Sequence, residues 1–192
     1  EILDNYNSYV FNKIFNIGLK NNVLDFGCGF GTFIEYINKN YKLEIYGYEI
    51  HPEALKKLKS KQIKTIDSLQ DHSGSFDFIV SLNVLEHIKD DQSVINEFKT
   101  LLKENGELVL YLPHSMKIWS NLDSLVGHHR RYSREELFSK LESAGFEILS
   151  WEYVDFIGWL VLFANRYLRL NFNYDERVLI RYDKYIFRFF KH

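Results

Sequence analysis

Val23-Leu24-Asp25-Phe26-Gly27-Cys28-Gly29-Phe30-Gly31 is a short apolar strand that runs straight into a turn with glycine at every second position. Alternating glycines let the backbone turn tightly and come close to a ligand. A helix predicted over residues 32–38 aims its free N–H groups at that turn, which suits a phosphate or a carboxylate. The spacing Gly27-x-Gly29-x-Gly31 is not the G-x-G-x-x-G of dinucleotide-binding dehydrogenases. Asp25 sits inside the strand end, where its carboxylate would repel a pyrophosphate but could hold an ammonium group. The turn therefore favours a ligand with an amino-acid end. Glu49, 18 residues past Gly31, ends a second strand (43–49), where it is placed to accept hydrogen bonds from both hydroxyls of a ribose.

Outward from that junction, residues 1–150 alternate between strand-like and helix-like segments, the pattern of a parallel sheet covered by helices. Pro52 stands where the first turn of a helix tolerates proline, and a helix over 52–60 puts Leu55 and Leu58 on one face with lysines opposite. Residues 63–66 predict a brief third strand, and 76–82 a fourth that is apolar enough to be central. Val94, Ile95, Phe98, Leu101 and Leu102 recur at helical spacing over 91–103, Asn105-Gly106 closes that helix, and 107–112 predicts a fifth strand ended by Pro113. Ser133 and Glu136 have the spacing of a capping box for a helix that buries Leu137, Phe138 and Leu141 and stops at Gly145. Residues 146–154 predict a sixth strand. The expected architecture is α/β, a mostly parallel central sheet with helices on both faces.

At 192 residues the chain is long enough for one domain with a full core and short for two. A net charge of −2 argues against non-specific nucleic-acid binding, and no nucleic-acid partner is expected. The single cysteine, Cys28, rules out an internal disulfide framework and fits a reducing compartment. The longest apolar run, 156–164, is about half of the ~20 residues that a membrane span needs. No secretory pattern is read at Glu1, so a cytoplasmic location is expected.

The opening stretch resembles the first motif of class I S-adenosylmethionine (SAM) dependent methyltransferases. Tyr48-Glu49-Ile50, the run from Phe76 through Asn83-Val84-Leu85-Glu86-His87-Ile88, and the run from Leu101 through Asn105-Gly106 to Leu110 resemble later segments of that superfamily in order, covering about residues 20 to 150. The resemblance implies a Rossmann-like fold and SAM as cofactor, with S-adenosylhomocysteine as product. It places Asp25, Gly27 and Gly29 along the methionine end of SAM, with Gly31 completing the turn. It also implies that Glu49 binds the ribose and Ile50 packs on the adenine. Asp67 and Ser68 fall where the family contacts the adenine amino group, and Asn83 would lie under the sulfonium; a solvated loop acid is the plain alternative for Asp67.

Methyl transfer from a sulfonium is an in-line displacement, to which an enzyme contributes orientation and, for an oxygen acceptor, a base. Histidine is the natural base near neutral pH. Of the seven, His114 after the fifth strand and His128 and His129 in Gly127-His128-His129-Arg130-Arg131-Tyr132-Ser133 fall on the expected active-site rim and are the catalytic candidates. His51, His72 and His192 read as surface residues. The segment from Gly127 to Phe146 resembles a subgroup of these enzymes, often of unassigned substrate and sometimes encoded near glycan-assembly functions. Arg130 and Arg131 suit phosphate or carboxylate, with pairing to an acid such as Glu135 as the equal alternative. Ubiquinone-type O-methyltransferases and small-RNA 3′-end methyltransferases carry a Glu-x-x-Glu-His metal motif where this chain has Asn83-Val84-Leu85-Glu86-His87. Asparagine is a poor replacement for a charged ligand, so no metal is expected and Glu86-His87 reads as a structural turn.

Aromatics are concentrated at the end of the chain, where the last 42 residues hold 13 of the 32. Arg177, Arg181, Lys184, Arg188 and Lys191 recur at gaps of four and three, with Val178, Leu179, Tyr182, Tyr185, Ile186, Phe189 and Phe190 opposite, an amphipathic helix with a basic side. The expected organisation is a SAM-binding domain over 1–154 and a helical extension over 155–192, packing as lid, dimer element or membrane-interface helix. The expected function is methyl transfer from SAM to a small or lipid-linked glycan acceptor at oxygen, by a monomer or homodimer, with peripheral membrane contact through the tail. N-methylation of a small amine and a non-catalytic SAM-binding regulatory domain are the alternatives.

Overall fold

β1 (Val23–Phe26) is buried along its whole length, as only a strand inside a sheet covered on both faces can be. It lies between β2 (Ile45–Tyr48) and β3 (Phe76–Leu82), and β3 pairs in turn with β4 (Leu102–Tyr111). All pairings are parallel, in the order β2-β1-β3-β4. The computed structural model describes residues 3–19, 22–168 and 176–187. Val23 lies opposite Ile45 and Phe78, and Leu24 opposite Tyr46 and Ile79. Successive side chains on a strand point to opposite faces, so Val23, Phe78 and Val80 enter one core while Leu24 and Ile79 enter the other.

The first core is covered by α1 (Asp4–Asn16), through Val10, Phe11 and Ile14, and by α2 (Thr32–Asn40), through Phe33, Ile34 and Ile37. Leu58 of α3 (Pro52–Ser60) joins it. The second core is covered by Ile95, Phe98 and Leu101 of α4 (Asp91–Leu101), with Leu141 from the later helix Arg134–Ser143. The strand order runs outward in both directions from β1 and β3. That reversal opens a crevice at their carboxyl ends, where ligands of open α/β sheets bind.

Two predicted strands do not join the sheet. Residues 63–66 make only one bridge, Thr65 to Gly47, and Gln62 just before them turns through the left-handed region (φ 55°). Residues 146–154 carry no strand; Phe146 and Ile148 pack on the second core and Val154 on the first. Alternating apolar residues report burial of one face, and burial does not require a ladder partner. Asn105-Gly106 does not close α4, which ends at Leu101. The turn instead lies within β4 as an irregularity, with Phe76 opposite Leu102 and Phe78 already opposite Glu107.

After the connecting helix α5 (Asn121–Leu125) and α6 (Arg134–Ser143), the chain forms α7 (Phe156–Leu168) and α8 (Glu176–Arg181), continued by a π-helical stretch, Tyr182–Phe187. This stretch packs on α1: Phe187 is 3% exposed, its ring 4.9 Å from that of Tyr6 and 5.5 Å from that of Tyr9. Asp183, at 4% exposure, accepts hydrogen bonds from the backbone N–H groups of Asn5 (3.0 Å) and Tyr6 (2.7 Å). The tail therefore caps the first helix with a carboxylate, where the helix dipole favours negative charge. Arg177, Arg181 and Lys184 are exposed. Arg188, Phe189, Phe190, Lys191 and His192 lie outside the described residues, as does any account of their face of the predicted helix. Among the described residues, no helix is long and apolar enough to cross a membrane.

Replacing Asp183 with alanine leaves two α1 donors unsatisfied and should cost about 1–2 kcal/mol. Hydrogen exchange at the Asn5 and Tyr6 amides should accelerate before exchange in β1 does. Equal protection in variant and parent would show that the cap is not formed in solution.

Candidate active site

Gly27 leaves β1 at φ +73°, and a Cβ there would come within 2.5 Å of Val84. Only glycine meets both conditions without strain. The turn is tied to the neighbouring strand, because the N–H groups of Gly27 (2.8 Å) and Cys28 (3.1 Å) both donate to the Tyr48 carbonyl. Glu49 adds a second tie: Oε2 accepts from the Gly29 N–H, and Oε1 from those of Ile50 and His51, each at 2.8 Å. A carboxylate offers about four acceptor positions. Three are occupied by backbone, so Glu49 as folded has room for one further donor, not the two ribose hydroxyls expected of it.

Asp25 is 2% exposed, and its Oδ2 has no hydrogen-bond partner. Burial, and then the nearby negative charge of Glu49, push its carboxyl up to about 8 from the ordinary carboxylate range. A buried carboxyl in this condition needs a proton or a cation. The glycine turn that follows it is open at Gly29, where a Cβ would meet nothing within 4 Å. Ile50, at 76% exposure, offers an uncovered apolar face just beyond Glu49. These groups fit a cofactor that combines a cationic amino-acid end with a ribose and an apolar base. Asp67 and Asn83 are exposed, Ser68 is half-buried, and Asn83 turns off β3 at φ +54°. A cavity of about 190 Å³ between α1 and α2 touches none of Asp25, Glu49 or Asn83, so the strand ends define the site.

Past Asn83 the chain makes a short 3-10 turn, Leu85–His87, which carries Glu86 inward. Glu86 is 0% exposed with both carboxylate oxygens unpartnered, and burial pushes it up to about 7. Facing it is His128, with Nε2 3.9 Å from Glu86 Oε1 and Nδ1 2.9 Å from Asp123 Oδ1. Asp123 accepts in addition from Arg131 Nε (2.7 Å) and from the Ser120 backbone (2.9 Å). Ser120 and Asp123 form a complete capping box, whereas Ser133 only accepts from the Glu136 N–H. Arg130 pairs with Asp91 at 2.6 Å, and Asp91 also accepts from Tyr132 (2.8 Å) and Lys140 (2.9 Å). Both arginines thus pair with acids, although with Asp91 and Asp123 and not with Glu135, whose partner is Arg134. Their forks hold the 127–133 segment in place.

The three candidate histidines separate. His114 places Nδ1 2.9 Å from the Tyr132 carbonyl. A carbonyl only accepts, so Nδ1 carries the hydrogen and Nε2 keeps a lone pair for a base. His128 is held through Nδ1 by Asp123, and its Nε2 is turned towards the buried Glu86. His129 is exposed, and its backbone N–H donates to the Glu86 carbonyl at 2.7 Å. His51 is exposed and His72 half-buried against Phe76.

Sequence reasoning missed a hydroxyl cluster beside the crevice. Tyr111, at the end of β4, contacts the hydroxyl of Tyr6, and Tyr182 donates to Asp155. The Tyr111 carbonyl accepts from the Asn83 N–H at 2.8 Å, which places the cluster next to the β3 exit. Burial raises Tyr111 to about 12 and Tyr6 higher still, so both stay protonated as donors. Four elements far apart in sequence meet here, and no local pattern marks them.

The fold and the strand-end carboxylates define a nucleotide-cofactor domain of the class I SAM type. Residues 4–150 match the model of a methyltransferase domain family, and the chain belongs to that family as a SAM-dependent methyltransferase domain. An uncharacterised protein of Methanocaldococcus jannaschii is 33% identical over 120 residues, 61% of this chain and 45% of that protein. Ajmaline N-methyltransferase of Rauvolfia serpentina is 29% identical over 105 residues, 48% of this chain and 36% of the enzyme. The chain thus spans less than half the length of these relatives. Among solved structures, phosphoethanolamine N-methyltransferase 2 of Haemonchus contortus, in complex with SAM, shares the fold with a TM-score of 0.66 at 17% identity, over 91% of this chain and 46% of that one.

The Asp25 carboxyl makes a signed prediction. Its folded pKa of about 8 lies above the unfolded value, so between the two the folded chain holds an extra proton and loses stability as pH rises. Without cofactor, the melting temperature should fall between pH 6 and pH 8. SAM affinity should rise over the same window, with proton release seen by calorimetry in buffers of different ionisation enthalpy. Asp25→Asn should flatten both trends, and an unchanged pH dependence in that variant would exclude Asp25 as the source.

Proposed function

We propose that this protein transfers a methyl group from SAM to a hydroxyl of a small or lipid-linked acceptor. The observation that carries the reading is the buried Asp25 carboxylate at the glycine turn, whose Oδ2 has no hydrogen-bond partner, with a free histidine nitrogen at His114 near the same crevice. Bound SAM would supply an electrophilic methyl on its sulfonium. Asp25 would hold its ammonium, the Gly27-Cys28-Gly29-Phe30-Gly31 backbone would line the methionine end, and Asn83 would lie by the sulfonium. Glu49 would bind the ribose after releasing the Gly29 N–H, which frees a second acceptor position. Ile50 would cover the adenine, with Asp67 and Ser68 near its amino group.

On the acceptor side His114 is the favoured base, ahead of His128 and His129, because its Nε2 is uncommitted. Tyr6 and Tyr111 would donate to acceptor oxygens. Residues 155–192 would act as a lid, supported by the docking of Phe187 and Asp183 on α1. The exposed basic side of Arg177, Arg181 and Lys184 favours an acceptor with an anionic, lipid-linked group. The resemblance of residues 127–146 to a subgroup sometimes encoded near glycan-assembly functions supports a glycan acceptor. The similarity to ajmaline N-methyltransferase supports a second reading, methylation of an amine.

Radiolabelled SAM offered with sugars, lipid-linked glycans, quinone precursors and small amines tests both readings. With an oxygen acceptor, His114→Gln should slow transfer about 10²–10⁴-fold while leaving SAM affinity unchanged. Undiminished transfer would remove His114 from the mechanism, and labelling of amines alone would favour the second reading.

A further inference from the structure

We propose that Glu86, His87 and His128 form a three-ligand site for a first-row divalent transition-metal ion, open on the His87 side to an oxygen of the acceptor. The donor atoms of the three all lie within 4.8 Å of one another. Ligands about 2.1 Å from one ion are at most about 4.2 Å apart. The Glu86–His128 separation of 3.9 Å is therefore already in range, and sub-ångström shifts bring in the third.

Two features show that something positive belongs between these groups. Glu86 is fully buried with neither oxygen partnered, a costly state for a carboxylate. His128 Nδ1 lies 2.9 Å from the Asp123 carboxylate, which only accepts, so Nδ1 carries the hydrogen and the Nε2 lone pair faces Glu86. Two acceptors thus face each other across a gap too long for a hydrogen bond. Asp123 is in turn held by Arg131 and Ser120, the kind of outer partner that fixes a ligating imidazole.

The exclusion of a metal from sequence rested on Asn83, which is exposed, at φ +54°, and outside the cluster. The third donor comes instead from position 128, in a loop that the Arg130–Asp91 and Arg131–Asp123 pairs hold in place. Two imidazoles and one carboxylate suit zinc, manganese, cobalt or iron better than calcium or magnesium. His87 is exposed, so positions remain open for water or substrate. Resting on the proposed methyl transfer to oxygen, the ion would bind the acceptor hydroxyl and ease loss of its proton to His114 or to solvent.

The test uses the untagged chain after chelation, titrated with Co²⁺ and followed by visible absorption, with Zn²⁺ and Mn²⁺ by calorimetry. One saturable equivalent is expected, weakened about 100-fold or more by Glu86→Gln and by His87→Ala, and about 10–100-fold by Asp123→Asn. His87 is exposed and Glu86→Gln keeps its volume, so these two decide the matter even if His128→Ala does not fold. No saturable equivalent, or binding that survives both, overturns the site and leaves the Glu86–His128 approach a packing contact only. SAM binding, measured separately in chelator, can fail while metal binding holds, and that result would overturn the methyltransferase reading alone.

Discussion

The left-handed turn at Gly27 is the constraint on which the rest of the site depends. Its φ of +73° and its contact with Val84 hold the exits of β1 and β3 against each other. The double donation to the Tyr48 carbonyl and the Glu49 clamp on Gly29 bind the exit of β2 to the same point. Three strand ends are thereby fixed relative to one another. One consequence is that the Asp25 carboxyl is left buried without a partner. A buried carboxyl oxygen without a partner marks a place suited to a cation.

A second organising device lies across the crevice. Asp91 and Asp123 are both almost fully buried, and each is surrounded by donors: Arg130, Tyr132 and Lys140 on one, Arg131, His128 and Ser120 on the other. Charges at this depth are tolerated only when paired. Together they hold the 127–133 loop against α4 and α5 and orient His128 towards Glu86. The tail uses the same chemistry at the start of the chain, where Asp183 caps α1.

Much of the fold was legible because it is written in local pattern. β1, β3, α3 and the start of α4 follow from apolar runs, a proline and helical spacing, and all four stand at or within a residue of their predicted ends. The segments at 63–66 and 146–154 read as strands because they are short, rich in β-branched and aromatic residues, and follow helices. Phe146, Ile148 and Val154 do turn inward, but their backbones lack a ladder partner, and pairing is a property of the neighbour. α1 was not foreseen, since its buried face is completed by α2 and by the tail. Glu49 was placed correctly at the end of β2, yet its hold on three backbone N–H groups depends on where the glycine turn lies in space.

By itself the sequence determined the α/β order, the glycine turn with its two acids, and hence the cofactor class, because each rests on residues close together in the chain. Only the tertiary structure decided which histidine has a free nitrogen, that Arg130 and Arg131 pair with Asp91 and Asp123, and that Glu86 meets His128. Those relations join residues from 8 positions apart, for Arg131 and Asp123, to 42, for Glu86 and His128, and the contact of Tyr6 with Tyr111 spans 105. A side chain's charge, tautomer and partner are set by what surrounds it after folding. No spacing rule extends across a loop whose path is fixed by buried ion pairs.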